Sequence, residues 1–126
     1  LFFSLRPQVM DSTMGPQREE KGLSSGLEKL LQLSNTAEQI HCDDQSRLYN
    51  DNLRQILYLK AMIRLSIAAT RSALARKESR GLHQRSDYPQ IDNDQLRHTL
   101  VDKEGNLSSL AIRKGSSGTW LIAPNA

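Results

Sequence analysis

Cysteine is almost absent from this 126-residue chain: Cys42 stands alone, so no disulfide can close within it, and the cytoplasm is the expected setting. Long apolar runs are missing too. The longest, at 65–69, is broken by Ser66 and is far shorter than the roughly 20 residues of a bilayer-spanning helix, so direct membrane insertion is not expected. The opening Leu1-Phe2-Phe3 lacks the basic start and length of a secretory signal and is expected to mark a cut in a longer chain. Neither sign of charge dominates. Seventeen Lys and Arg against fourteen Asp and Glu leave +3, too small and too scattered an excess to specify nucleic acid or an anionic membrane. Arg71, Arg76, Lys77, Arg80 and Arg85 are interrupted by Glu78 and Asp87 and lack interleaved aromatics for base stacking, so nucleic acid is not an expected partner.

The seven glycines, at 15, 22, 26, 81, 105, 115 and 118, never make the Gly-x-Gly-x-x-Gly spacing that brings backbone against a dinucleotide pyrophosphate. The chain itself is therefore expected to hold no such cofactor. His41-Cys42-Asp43-Asp44 offers metal-ligand atom types, but neighbours in one loop rarely converge on one ion and no second cluster answers them, so no metal site is expected. Nothing beside Cys42 supplies the base or activating charge a nucleophile needs, and it reads as a free structural thiol.

What the chain does have is helical periodicity. Residues 5–14, with Pro7 in the first turn and a Gly15-Pro16 stop, form a short helix candidate. From 19 to 40, Leu23, Leu27, Leu30, Leu31, Ala37 and Ile40 recur at steps of three and four. Gly22 and Gly26 weaken that helix, and Ser25 with Glu28 could form a capping box inside it, so its start can slip by a turn. The polar stretch 41–50 is the inter-helix loop, with Asn50 as N-cap for the next helix.

Residues 51–78 contain no Gly or Pro and are rich in Leu, Ile, Ala, Arg and Lys, which predicts one long helix. Ile56, Leu59, Ile63, Ile67, Thr70 and Leu74 make one stripe; Tyr58, Met62, Leu65, Ala69 and Ala73 make a second. Lys60, Arg64 and Arg71 form a narrow polar strip. A small bundle covers one apolar face and leaves the other for a further domain. After Gly81 the pattern changes to loop at Tyr88-Pro89 and Asp92-Asn93-Asp94. Residues 96–101 and 107–112 flank a Gly-containing connection and read as a β-hairpin, while Trp120-Leu121-Ile122 is an apolar end that packs on something or frays. The expected fold is all-α, a three-helix bundle over 1–95, with a small β-hairpin and tail over 96–126 of the same domain.

Glu78, Arg80, His83, Arg85 and Asp87 mix acids, bases and an imidazole at the end of the long helix. Fixed ion pairs and basic groups at a helix C-terminus position chain ends without doing chemistry, and Gly81 suits a left-handed C′ position. The five residues are therefore read as a domain-docking motif, with no catalytic residue assigned.

The stretch Arg76-Lys77-Glu78-Ser79-Arg80-Gly81-Leu82-His83-Gln84-Arg85-Ser86-Asp87-Tyr88-Pro89 resembles a signature of the succinate dehydrogenase, fumarate reductase and L-aspartate oxidase flavoproteins. Tyr49-Asn50 before Leu53, Arg97-His98-Thr99-Leu100 after the Asp-rich loop, and the run-up Met14-Gly15, Arg18 and Leu27-Glu28-Lys29-Leu30 match in the same order, so the resemblance spans roughly 5–100. The family often has Trp where Tyr49 stands and another near Leu96. The resemblance implies a spectrin-repeat-like three-helix domain that follows the FAD-binding and capping domains of a complete flavoprotein. It implies FAD in the parent protein, those two domains as partners, an iron–sulfur subunit as a further partner, and a place at the cytoplasmic face of the membrane through partner subunits. His83-Gln84-Arg85 with His98-Thr99-Leu100 leans toward succinate or fumarate chemistry, whereas Tyr88-Pro89 is also similar to L-aspartate oxidases. The family's catalytic residues precede the helical domain, and none maps to a position here. A free-standing helical interaction module is the rival reading.

Overall fold

The computed structural model describes residues 9–114 and 120–124, with side chains described as far as 112. A short helix, α1 (Asp11–Thr13), is followed by two long ones, α2 (Glu20–Glu38) and α3 (Asp51–Ala75). A 3-10 turn (Asn93–Gln95) then leads into β1 (Arg97–Val101), β2 (Leu107–Lys114) and β3 (Trp120–Pro124), an antiparallel sheet in the order β1-β2-β3. The chain is mostly helical, but the strand content exceeds the expected hairpin: the apolar end at 120–122 pairs with β2, Ile112 opposite Ile122. The short-helix expectation over 5–14 lies partly outside the described residues.

Glu38, at the end of α2, pairs with Lys60 and Arg64 of α3, while Glu20, at its start, meets Arg85 beyond the end of α3. The two helices therefore run antiparallel. Their contact is the core: Val9, Leu30, Ala37, Leu59 and Ile63 are buried together, with Met10, Leu33, Ile40 and Ile67 packed against them. This is the first apolar stripe of α3, at helical spacing, facing the stripe of α2. Gly26 is buried because α1 crosses there. A Cβ at Gly26 would lie 2.1 Å from Oγ1 of Thr13, so this glycine admits a close approach and its low helix propensity is overridden by packing.

The polar strip on α3 is spent on tying elements together. Lys60 donates to Glu38 at 3.1 Å, and Arg71 donates through Nη1 to the Gly105 carbonyl at 3.1 Å, lashing the β1–β2 turn to the helix. Gly105 has φ +87, and the Asp102 carboxylate accepts from both the backbone and side-chain nitrogens of Asn106 at 2.8 Å, which closes the turn. The second stripe of α3 is buried at Ala73 and half-buried at Ala69, but among the described residues its Tyr58 (57% exposed), Met62 and Leu65 (71%) are open to solvent, as are Leu53 and Leu57 (58%) elsewhere on the helix and the loop residues Leu48 and Tyr49.

Helix ends agree with the sequence at Asn50, whose side chain accepts from Leu53 N at 2.7 Å, and differ at two places. The Ser25–Glu28 capping box is not formed; α2 starts at Glu20, and its cap comes from a distant residue described below. The long helix stops at Ala75, three residues before the expected end at 78, and Arg76 is extended at ψ 102.

Candidate functional site

From Arg76 onward the chain turns back across the end of α3. In an extended segment alternate residues share a side, so Arg76, Glu78 and Arg80 line up together. Glu78 is fully buried. Its oxygens accept from Nε of Arg80 at 3.1 Å, from the amide of Asp92 at 3.0 Å and from Nη1 of Arg76. Burial pushes the Glu78 carboxyl up, but the hydrogen bonds from Arg80, the Asp92 amide and Arg76, with the Arg80 charge, outweigh it and hold the group below its ordinary value. Arg80 also donates through Nη2 to the Asp92 carbonyl at 3.0 Å, and Arg76 reaches the carbonyls of Gln95 and Arg97. One carboxylate thus joins the helix end to the 3-10 turn and to β1.

A second pair lies on the other side. Arg85, 1% exposed, forms a two-pronged contact with Asp87, Nε to Oδ1 at 2.7 Å and Nη2 to Oδ2 at 2.6 Å. Its Nη1 donates to the carbonyl of Ala73 at 3.1 Å, satisfying one of the groups the last turn of α3 leaves open, and its guanidinium stacks 5.0 Å from the Tyr88 ring centroid. Asp87 Oδ2 accepts from the amide of Glu20 at 3.0 Å, so it is the N-terminal cap of α2. The Arg85 hydrogen bonds, against a smaller cost of burial and helped by that amide, hold the Asp87 carboxyl far below the ordinary carboxylate range.

His83 sits between the pairs, its Nδ1 3.0 Å from Nη1 of Arg18 and its Nε2 3.1 Å from the carbonyl of Arg76. Arginine can only donate and a carbonyl can only accept, so the proton is on Nε2. Burial lowers the imidazole pKa; the Arg76 carbonyl opposes this, and the charges of Arg18, Arg76 and Arg85 reinforce it, so the ring is neutral. Arg18 is held against the corner by its own backbone, with its amide donating to Gln84 O at 3.0 Å and its carbonyl accepting from Ser86 N at 2.8 Å. Ser79, also buried, donates to the carbonyl of Tyr88 at 2.8 Å and accepts from the Arg85 amide at 2.8 Å.

All five residues singled out in the sequence are therefore in one corner: Glu78 pairs with Arg80, Arg85 pairs with Asp87, and His83 lies between Arg18 and the Arg76 carbonyl. Gly81 is corrected: its φ of +58 is left-handed as expected, but it is not the helix C′ residue. It lies in a two-residue turn closed by Arg80 N to His83 O at 2.8 Å and His83 N to Arg80 O at 3.0 Å, and the last carbonyls of α3 are met by side chains instead. Arg76, Arg18, Ser79 and Asp92 were not singled out as site residues. The alternation Arg76-x-Glu78-x-Arg80 would have signalled the first of these had the segment been read as extended.

Chemically the arrangement fixes chain ends. Both carboxylates and the imidazole are saturated by arginines and backbone groups, and Arg71, Arg76, Arg80 and Arg85 spend donors on internal acceptors. Among the described residues no group of three His, Cys, Asp or Glu could hold a metal, and no helix is long and apolar enough to cross a membrane.

The family model described as fumarate reductase flavoprotein C-term matches residues 7–123. The chain belongs to this family. Among its relatives, the fumarate reductase flavoprotein subunit of Mycobacterium tuberculosis is 36% identical over 99 residues, 78% of this chain and 17% of that protein. The succinate dehydrogenase flavoprotein subunit of Coxiella burnetii is 33% identical over 120 residues, 94% of this chain and 20% of the relative. The chain thus spans about a fifth of the length of the curated relatives it matches. Among solved structures, a variant of E. coli quinol fumarate reductase superposes with a TM-score of 0.72 at 24% identity, covering 98% of this chain and 20% of that one. The Mycobacterium smegmatis Sdh1 complex gives 0.68 at 22% identity over 97% of this chain and 20% of its own. These superpositions establish the fold shared with such subunits: a mostly helical C-terminal domain of the flavoprotein.

Proposed function

We propose that this chain serves an FAD-dependent oxidoreductase of the succinate dehydrogenase and fumarate reductase type as its structural and docking C-terminal domain, and is inactive in isolation. The exposed apolar residues of α3 carry this reading: Tyr58, Met62 and Leu65 of the second stripe, together with Leu53 and Leu57, are open to solvent on a domain whose relatives are about five times as long. What covers them in this proposal is the FAD-binding and capping part of the same flavoprotein, with the corner from Glu78 to Asp87 holding the exposed Leu82 turn toward it. An iron–sulfur subunit is the further partner, and the cytoplasmic side of a membrane the setting. The finer architecture of the proposal is a three-helix, spectrin-repeat-like bundle over 1–95, α1 lying on α2 at Gly26, with 96–126 as its strand-bearing tail.

The described residues of this chain do not fit FAD itself. A dinucleotide pyrophosphate seeks open amides at a helix N-terminus after a glycine turn. Here the first amide of α2 donates to Asp87, and Asn50 caps α3. The flavin, and the oxidation of succinate or reduction of fumarate, belong in this reading to the part outside the chain. L-Aspartate oxidase is the alternative parent, favoured only by Tyr88-Pro89.

The test places a charge on the face. Leu57→Asp and Leu65→Asp should leave the isolated chain folded, since both side chains are exposed, but sharply reduce flavin-loaded protein when built into a complete flavoprotein. Unchanged flavin loading in both variants would mean the face is not a docking surface and would favour a free-standing interaction module. Stoichiometric flavin on the isolated chain would overturn the division of labour.

A further inference from the structure

A recess of about 230 Å³ lies where the start of β1 meets the corner. Its walls include Arg76, Arg80, Arg97 and His98 as polar groups and Leu96 and Ile112 as apolar ones. Three guanidinium groups border it against a single buried carboxylate, Glu78, whose oxygens are already taken by Arg76, Arg80 and the Asp92 amide. Among these four groups the excess is two positive charges. Not all donors are used. Among the described residues, Nη1 of Arg80 makes no hydrogen bond, Arg97 has only a long 3.4 Å contact to Oε1 of Gln95, and the His98 ring has no partner.

We infer that this recess binds a small oxyanion, a phosphate or a carboxylate, between Arg80 and Arg97. The recess uses none of the exposed apolar residues of α3 and shares Arg80 and His83 with the corner that the docking proposal invokes. Two features of the site favour an oxyanion over a simple halide. Guanidinium groups present N–H donors in a planar fork that matches two oxygens at once, which chloride cannot exploit. Arg80 is also preorganised: its contacts to Glu78 and the Asp92 carbonyl fix the guanidinium plane, so little side-chain entropy remains to be lost when the free edge is engaged. The apolar walls of Leu96 and Ile112 reduce local screening and strengthen the attraction.

The experiment titrates inorganic phosphate, acetate and chloride, at constant ionic strength, into the full 126-residue chain while following arginine side-chain and backbone amide NMR signals. Signals of Arg80 and residues 95–98 should move and saturate with phosphate or acetate and remain still with chloride. The tighter of the two anions then identifies the source chemistry. Arg97→Gln, at an exposed side chain, should weaken binding by about tenfold, the effect of one charge-assisted contact, while Arg54→Gln on the far end of α3 leaves it unchanged. A linear response without saturation, equal shifts with chloride, or identical affinity in Arg97→Gln would each overturn the inference.

Discussion

Replacing Glu78 by Gln tests how the corner holds the fold, because it removes one charge and almost no volume. In the native chain the two oxygens accept from Arg80, Arg76 and the Asp92 amide. A glutamine keeps one oxygen and turns the other position into a donor, which then confronts a second donor from arginine or backbone. Truncating a fully buried pair costs about 3–5 kcal/mol, and hydrogen bonds to charged groups about 1.5–3 kcal/mol each. Arg76 and Arg80 retain side-chain exposures of 19% and 31%, so solvent recovers part of their stranded charge, and the lower end, about 3 kcal/mol, applies. With unfolding entropy of roughly 2.1 cal/mol/K per residue, that loss lowers Tm by about 11 °C for a chain of this length. Thermal and urea unfolding followed by circular dichroism read it. Arg80→Ala should cost less, about 1–2 kcal/mol, since Arg76 and the Asp92 amide still serve Glu78; the double variant should cost less than the sum. A Glu78→Gln change within about 0.5 kcal/mol of the parent would refute the view that this carboxylate ties helix, turn and sheet together.

Gly26→Ala should destabilise by about 1–3 kcal/mol, because the new methyl meets Thr13 at 2.1 Å, whereas Gly22→Ala, whose Cβ would meet only Glu19 Cγ at 3.7 Å, should stabilise by up to about 1 kcal/mol. Opposite signs in urea midpoints check the pair. Asn50→Ala should cost about 1 kcal/mol through the lost cap of α3, read the same way. Stability should fall on acidification in two stages. The folded pKa of His83 lies below its ordinary 6.5, so between the two the unfolded chain binds more protons and folding weakens as pH falls through 6.5. Glu78 and Asp87 are depressed below their ordinary 4.5 and 3.8, so their contribution is complete above those values and is lost as pH falls through the folded ones. Urea midpoints from pH 7 down to about 2 follow both stages, and His83→Gln should flatten the first.

The two long helices were legible because their apolar residues recur every three to four positions and no proline interrupts them, and the hairpin because Asp102 to Asn106 is turn chemistry between short apolar runs. The family was legible from the Arg76 to Pro89 stretch. What the sequence hid is non-local. The start of α2 was ambiguous because its cap, Asp87, lies on the far side of the chain and no nearby residue performs that role. The end of α3 was overextended because local propensity favours helix through Glu78, while Arg85 and His83 take the last carbonyls and leave Arg76 to Arg80 extended. Gly26 read as a weakness because Thr13, which needs the space, belongs to another helix. The third strand depends on pairing with β2, a contact that period-two patterning at 120–122 alone is too short to announce.

The central claim is that the exposed apolar residues of α3 are covered by the rest of the flavoprotein, and hydroxyl-radical footprinting reads it directly, since Tyr58 and Met62 on the helix and Tyr49 in the loop before it are oxidisable and exposed in the isolated chain. In a complete flavoprotein their oxidation should drop several-fold relative to the isolated chain, while the buried core of α2 and α3 is unchanged. Equal oxidation of Tyr58 and Met62 in both forms would contradict the claim.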